Sequence, residues 1–308
     1  MRVGSEQLAP VNGIEIAYQE FGDPGGEPML LVMGLGTQMI AWDEGFCELL
    51  TEAGLRVVRF DNRDIGHSSW LDDLGVPGKA AMLLGISRGL GYTLDDMADD
   101  VAGLIAHLEL DSSHVVGASQ GGMIAQVLGY RHPELVRSLG MVMTGAGKRI
   151  SSLPRLRALG TLLAAPPNSR DGYIKAITRT FEVIGSPDYP PDPDRLRELI
   201  AAGYDRAHHP AGTARQLHAI TASGDRSRQL RSVRAPTVVI HGSRDPLVRP
   251  AAGRALAAAI PTAELKMIDG MGHDLPPQLW PRITGHLIDN ARRAWAGEQA
   301  ADTFASAR

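Results

Sequence analysis

The strongest chemical signal in the chain is the pentapeptide GASQG at residues 117–121, in which one serine lies between two glycines. The apolar run HVV precedes it and the helix-forming run MIAQVLGY follows it. A G-x-S-x-G motif between a strand and a helix is typical of a nucleophile elbow, a tight turn whose strained backbone tolerates only small neighbours. The serine also begins the predicted helix, where free N–H groups favour developing negative charge. The pattern predicts Ser119 as a nucleophile, and its alternative is a glycine-rich turn without chemistry.

Two further residues have the types and positions needed to activate this serine. A serine hydroxyl is a weak nucleophile at neutral pH and needs a base that is itself oriented by an acid. With this kind of elbow the expected chain order is serine, acid, histidine. Asp245 follows the apolar run VVIHG, and His273 follows LKMI and the loop DGMG. Because ligands in parallel sheets gather at the carboxyl ends of the strands, we expect both residues to converge on Ser119.

Each of these assignments has an alternative. Asp269 is a rival acid, but it lies on the same loop as His273 and is less well placed to orient it. Asp245 could instead be a capping residue and His273 a surface histidine. The ordered set of three favours the catalytic interpretation.

Acyl transfer also needs two backbone N–H groups that bind the oxyanion of the intermediate. The amide after the nucleophile belongs to Gln120. The second candidate is the amide of Leu35, in the segment MGLGT at residues 33–37 that follows an early apolar run. Gly34 supplies the flexibility that aims this amide. The alternative for the segment is an ordinary turn.

Short apolar runs alternate with amphipathic stretches over most of the chain, and these elements must position the candidate residues. The alternation predicts an α/β fold with a mostly parallel sheet covered by helices on both faces. Thr93, followed three residues later by Asp96, predicts a capped helix start. The predicted strands are 13–20, 29–33, 55–60, 114–118, 136–143, 237–241 and 263–268. The predicted helices outside the insertion described next are 38–53, 93–110, 121–131 and 278–295.

Residues 148–234 interrupt this alternation. They contain helical patches at 153–163, 173–184, 194–204 and 211–223, separated by proline-rich stretches such as SPDYPPDPD. We expect a helical cap or lid inserted into a core made of residues 1–147 and 235–296. The alternative is extra helical packing at the sheet edge. The composition of residues 297–308, GEQAADTFASAR, predicts a flexible tail.

Composition excludes several classes of protein. The formal net charge is −4 and no basic run is present, so we expect no nucleic acid partner. No uninterrupted apolar run approaches the roughly 18 residues of a membrane span. Cys47 is the one cysteine, and residues 1–10 contain no apolar signal segment, which favours the cytoplasm. No pattern of metal-ligand spacing is present, so we expect no metal.

Five segments together resemble the α/β-hydrolase superfamily. These are MGLGTQMIAW (33–42), DNRDIGHSS (61–69), GASQGG (117–122), HGSRDPLV (241–248) and GMGHDLP (270–276). The chain looks most like the branch that contains aclacinomycin methylesterase and related bacterial carboxylesterases. The resemblance implies a doubly wound, mostly parallel sheet of about eight strands, a helical cap, no cofactor and an acyl-enzyme intermediate. Many relatives carry histidine where this chain has Met33.

The resemblance also bears on residues around the predicted site. It implies that the Asp-Asn-Arg-Asp segment is a structural turn, in which Asp61, Arg63 and Asp64 brace the loops behind the site. His67 either faces the pocket mouth or is a plain loop histidine. Trp42 either lines the acyl pocket or anchors a helix on the sheet.

The expected function is hydrolysis of a small-molecule carboxylic ester. The same three residues could support amide cleavage of the iminopeptidase kind, lactone opening or cofactor-free formation of a peroxyacid. A different class of protein, a ligand receptor with little turnover, can also be built on this fold. The sequence leaves the ester and the oligomeric state open.

Overall fold

One eight-stranded sheet organises the chain. The computed structural model describes residues 2–76, 78, 91–148, 154–163, 167 and 169–306. The strands are β1 Gln7–Val11, β2 Ile14–Phe21, β3 Glu27–Val32, β4 Leu55–Phe60, β5 Ser113–Ala118, β6 Val136–Val142, β7 Thr237–Gly242 and β8 Ala263–Ile268. Their order in the sheet is β1-β2-β4-β3-β5-β6-β7-β8. The pairs β1–β2 and β2–β4 are antiparallel, and every later pair is parallel, which confirms the predicted mostly parallel sheet.

Helices cover both faces of this sheet. The described residues form α1 Glu44–Thr51, α2 Leu94–His107, α3 Gln120–Arg131, α4 Leu156–Leu163, α5 Arg170–Ile184, α6 Pro193–Arg206, α7 Pro210–Ser223, α8 Pro250–Ala259 and α9 Trp280–Ser306. Along β3, Leu30 belongs to an apolar cluster that includes side chains of α2, α3 and α8. Its neighbour Leu31 belongs to a second cluster that includes side chains of α1 and α9. Because successive strand residues point to opposite faces, these two clusters lie on opposite sides of the sheet. Helices therefore pack on both faces, as in a doubly wound sheet.

The start of α2 has the cap that the sequence predicts. The hydroxyl of Thr93 accepts a hydrogen bond from the amide of Asp95 at 3.2 Å, and the carboxylate of Asp96 accepts one from the amide of Thr93 at 2.8 Å. These contacts satisfy amide donors that have no partner within the helix.

The single helix predicted at residues 38–53 is wrong, because the structure divides it. A 3-10 turn, Met39–Ala41, is followed by α1, and Asp43 caps α1 by accepting from the amide of Gly45 at 2.9 Å. The carbonyl of Trp42 is taken up by the guanidinium of Arg59, 2.5 Å away. Trp42 has ψ 87° and Asp43 has ψ 147°, both outside the helical range, so the backbone leaves the helical conformation at these residues and α1 begins after Asp43.

Between β6 and β7 the described residues form helices α4 to α7 and the 3-10 turn Gln229–Ser232, and no strand. Residues 149–153, 164–166 and 168 of the predicted insertion lie outside the described residues. The division into a core and a cap with the bounds 148–234 stays a prediction.

Helix α9 continues through residue 306. The flexible tail expected at 297–308 stays a prediction. Alanine, glutamate and glutamine are good helix formers and extend the helix through this stretch. Among the described residues, no helix combines the length and the apolar character needed to span a membrane.

Candidate active site

Ser119 lies on a strained turn between β5 and α3. Its backbone has φ 53° and ψ −115°, a conformation that residues other than glycine rarely adopt. Close packing explains the flanking glycines. A Cβ on Gly117 would lie 2.2 Å from the carbonyl oxygen of Gly121, and a Cβ on Gly121 would lie 2.0 Å from that of Val32. The motif is therefore required by the backbone geometry that presents the serine.

The three residues predicted to act together form one hydrogen-bonded chain. Nε2 of His273 lies 3.0 Å from Oγ of Ser119, and Nδ1 of His273 lies 2.7 Å from Oδ2 of Asp245. They follow the ends of β5, β7 and β8. Asp245 is 1% exposed and His273 7% exposed, so both side chains are shielded from water, whereas Ser119 is partly exposed. This arrangement can transfer a proton from the hydroxyl to the imidazole.

The rival acid is held elsewhere. The carboxylate of Asp269 accepts a hydrogen bond from the hydroxyl of Ser243 at 2.7 Å. This bond lowers the pKa of Asp269, whose side chain is exposed. The structure thus brings Asp245, and not Asp269, against the imidazole of His273.

A second buried histidine lies beside Asp245 and escaped the sequence analysis. Nε2 of His241 lies 2.7 Å from the carbonyl oxygen of Val248 and 3.6 Å from Oδ2 of Asp245. Burial lowers the pKa of His241, which keeps the ring neutral near neutral pH. A neutral ring that donates to Val248 leaves the carboxylate of Asp245 to His273. The only sequence signal for this histidine was its position at the end of a buried strand.

The loop that contains Leu35 approaches the serine closely. A Cβ on Gly34 would lie 3.2 Å from Cβ of Ser119, so this glycine packs directly against the nucleophile. The loop is held by a hydrogen bond from the amide of Gly36 to the side chain of Gln216, at 3.0 Å. Gln120 is the first residue of α3, so its amide has no acceptor in a preceding helical turn. Both predicted oxyanion donors thus belong to segments that adjoin Ser119.

The segment after β4 forms a charged network with α2 and with the helices of the predicted cap. Arg63 binds Asp100 of α2 through Nε at 2.5 Å. Asp64 takes two hydrogen bonds from the guanidinium of Arg215, at 2.8 and 2.6 Å. A third ion pair joins Asp61 to Arg206 at 2.7 Å. Burial raises the pKa of Asp61, while the adjacent guanidinium opposes that rise. These contacts hold the loop after β4 against α2 and against two helices of the predicted cap, which is the structural role that the sequence analysis expected.

Two of the residues named as pocket candidates show structural contacts. Trp42 is fully buried and packs on Phe46 with ring centroids 5.2 Å apart, which are the contacts of an anchor for α1. The ring of His67 bonds to the carboxylate of Glu6 at 2.6 Å and to the carbonyl of Arg206 at 3.1 Å. For both residues the described contacts favour the structural alternative over a pocket role.

The strand order and the serine on the turn after β5 define the class of protein, an α/β hydrolase. The family described as alpha/beta hydrolase fold matches residues 27–277. The chain belongs to this family.

Relatives of known name extend the comparison. Rhodomycin D methylesterase DnrP of Streptomyces peucetius is 30% identical over 298 residues, which cover 89% of this chain and 93% of that protein. Non-heme chloroperoxidase CPO-A1 of Kitasatospora aureofaciens is 26% identical and covers 86% of this chain and 90% of its own. Among solved structures, the enol-lactonase of Burkholderia xenovorans superposes with a TM-score of 0.71 at 23% identity, covering 92% of this chain and 99% of that one. At that identity the likeness concerns the fold alone.

Proposed function

We propose that this chain is a serine hydrolase that cleaves a small-molecule carboxylic ester through an acyl-enzyme. The observation that carries the proposal is the unbroken hydrogen-bonded chain from Ser119 through His273 to Asp245. The likeness to a methylesterase over 89% of the chain supports an ester, and a methyl ester is the first class to test. The cytoplasmic location expected from the sequence stays a prediction.

The first half of the reaction forms the acyl-enzyme. Oγ of Ser119 bonds to the ester carbonyl carbon while its proton passes to Nε2 of His273. The tetrahedral intermediate then collapses, the bond to the alcohol oxygen breaks, and that oxygen takes the proton from His273. Asp245 holds the imidazole in the tautomer that accepts at Nε2 and stabilises the imidazolium that forms.

The second half releases the acid. Water attacks the acyl carbon and gives a proton to His273, which returns it to Ser119 Oγ as the carboxylic acid leaves. In both tetrahedral intermediates the amides of Gln120 and Leu35 bind the oxyanion. Losing one such donor typically lowers turnover by about 10²–10³-fold.

One relative favours a second reaction at the same acyl-enzyme. The similarity to a protein named a non-heme chloroperoxidase makes hydrogen peroxide a candidate acceptor in place of water. Attack by peroxide would release a peroxyacid and regenerate Ser119. Adding peroxide to the esterase assay and measuring peroxyacid separates the two acceptors.

The test of the proposal is hydrolysis of p-nitrophenyl esters from C2 to C12, followed by a set of methyl esters. We expect turnover by the native chain and its loss in Ser119→Ala, together with loss of covalent labelling by a fluorophosphonate. Ser232→Ala, which removes an exposed hydroxyl that donates to the carbonyl of Gln229, is the matched control. No ester turnover by the native chain, or turnover that survives Ser119→Ala, contradicts the proposal.

A further inference from the structure

Helix α7 of the predicted cap carries a glutamine, Gln216, that is fully buried against the loop of Leu35. We propose that Gln216 is the positioning residue of the oxyanion hole, whose side chain sets the aim of the Leu35 donor and whose backbone carbonyl anchors the segment of the Gln120 donor. The inference rests on the proposed function, because it concerns the same site.

The side chain of Gln216 bridges two loops of the core. Its Oε1 accepts a hydrogen bond from the amide of Gly36 at 3.0 Å, and its Nε2 donates to the carbonyl of Arg63 at 2.9 Å. A backbone amide can only donate and a carbonyl can only accept, so these partners fix which end of the side chain faces which loop. The side-chain amide of Gln216 therefore cannot flip by 180° without breaking both hydrogen bonds inside a buried site.

The first hydrogen bond controls the peptide next to the predicted donor. The amide of Gly36 belongs to the peptide plane that joins it to Leu35, and the carbonyl of that plane accepts from the hydroxyl of Thr37 at 3.1 Å. Gly36 has φ +65°, and a Cβ there would lie 2.8 Å from Oγ1 of Thr213 on α7. The helix thus presses on the loop while Gln216 holds the amide of Gly36, which restrains the backbone directly after Leu35 and so limits the directions open to the Leu35 N–H group.

The second donor is tied to the same residue. Nε2 of the Gln120 side chain donates to the backbone carbonyl of Gln216 at 3.2 Å. Gln120 is fully buried, so this bond anchors the first residue of α3 to α7. The two segments that supply the oxyanion donors therefore meet at one residue of the predicted cap.

Such a residue acts in the transition state and hardly in substrate binding. The negative charge on the carbonyl oxygen develops only as the tetrahedral intermediate forms, so a misaimed donor lowers kcat and leaves KM nearly unchanged. Gln216→Met keeps the length of the side chain and removes its two side-chain hydrogen bonds, while the backbone carbonyl that binds Gln120 remains. We expect kcat to fall by about 10- to 100-fold, less than the loss of a whole donor, because the Leu35 amide remains but is poorly aimed.

A transition-state analogue separates positioning from general damage. A trifluoromethyl ketone bonds to Ser119 and places an oxyanion between the same donors. Its inhibition constant for Gln216→Met should rise by about the factor by which kcat/KM falls. A loss of folded protein alone would lower the active fraction and would leave that constant unchanged.

Gln216→Glu gives a second readout in case the methionine variant fails to fold. The protonated carboxyl group can donate to the carbonyl of Arg63 and accept from the amide of Gly36, as glutamine does. The ionised form cannot donate and would oppose that carbonyl. The ratio of variant to native kcat should therefore be near one at low pH and fall as pH rises.

Gln126→Met is the matched control. Gln126 is also fully buried, donates to the carbonyl of Gly145 at 3.3 Å and accepts from Nε of Arg226 at 3.2 Å. It should lose stability without changing kcat or analogue affinity. Native turnover that depends on Ser119, with both Gln216 variants matching the native kcat, analogue affinity and pH profile, would overturn the inference and leave the proposed function standing. Native protein without ester turnover overturns both.

Discussion

The two oxygens of the Asp245 carboxylate have separate partners. Oδ2 lies 2.7 Å from Nδ1 of His273, whereas Oδ1 accepts from the amides of Leu247 and Val248, each at 2.8 Å. Because Oδ1 receives two backbone donors, its acceptor character is fixed by the fold. Oδ2 is the oxygen that sets the tautomer of His273.

This division determines what Asp245→Asn does. The asparagine oxygen must stay on the side of the two amides, so its NH₂ group faces His273 and donates to Nδ1. The imidazole then carries its proton at Nε2, which faces Ser119 and can no longer accept from it. We expect kcat for p-nitrophenyl acetate to fall by about 10³- to 10⁴-fold with the fold intact.

Asp269→Asn is the control for that measurement, because it removes the rival carboxylate from the same loop as His273. Its hydrogen bond to Ser243 lies at an exposed position, and we expect native kcat. A collapse of kcat in Asp269→Asn, with Asp245→Asn active, would reassign the acid.

The buried ion pair between Asp64 and Arg215 joins α7 to the loop after β4, so we expect its loss to lower the free energy of unfolding. Both side chains are at most 1% exposed and share two hydrogen bonds. Arg215→Met leaves the carboxylate buried without its cation, which typically costs about 3–5 kcal/mol of unfolding free energy. Urea unfolding of the purified variant measures the loss.

Adding Asp64→Asn to Arg215→Met should recover part of that stability, because the uncompensated charge is removed. Asn also tolerates the positive φ of 71° at position 64. A double mutant less stable than Arg215→Met would show that the charge of Asp64 is compensated by other groups.

Local patterns explain which parts of this fold the sequence predicts. The elbow glycines are recognisable because the turn has no room for a Cβ at either position. Strand β1 escaped prediction because it is a short edge strand, containing Pro10, whose residues are mostly exposed. Helix α8 escaped because its sequence, PAAGRALAAA, is dominated by alanine, and two of the three residues that it buries, Ala252 and Gly253, are small.

Local patterns also explain which residues of the candidate site the sequence predicts. Ser119, Asp245 and His273 could be predicted because each follows a recognisable strand in a fixed chain order. Gln216 could not, because it acts through hydrogen bonds to residues 180 and 153 positions away, and nothing in its own helix marks it. Contacts of this kind depend on how α7 packs on the core.

His114 predicts a pH dependence of stability. Burial, reinforced by the charge of Arg137, lowers the pKa of this histidine from 6.5 to about 4. Above pH 6.5 the ring is neutral in both states and stability is full. As pH falls towards 4 the unfolded chain takes up the proton first, so the free energy of unfolding falls, by about 3 kcal/mol in all from this group.

Urea unfolding at intervals from pH 4 to pH 8 measures that slope. His114→Gln should flatten it, because the group that protonates selectively in the unfolded chain is gone. His107→Gln removes an exposed histidine at the end of α2 and should leave the slope as it is. Equal slopes for the native chain and His114→Gln would contradict the burial argument.

The loop of His273 is held by the chain at the end of α5 and just after it. The carbonyl of Ile184 accepts from the amide of His273 at 2.7 Å. The hydroxyl of Ser186 accepts from the amide of Gly272 at 2.8 Å and donates to the buried carboxylate of Asp274. Three consecutive residues of the loop are thus fixed by one short segment of the predicted cap.

Ser186→Ala should therefore weaken both stability and catalysis. It leaves a buried amide and a buried carboxylate each without the hydroxyl that they bind, which costs about 1–3 kcal/mol for the unpaired groups. The loop then samples positions in which Nε2 of His273 is out of reach of Ser119, so kcat should fall. Ser186→Thr retains the hydroxyl and should restore kcat towards the native value, whereas a purely steric role for Ser186 predicts the better activity for alanine. Thermal unfolding and kcat on the same ester, measured for both variants, decide between the two.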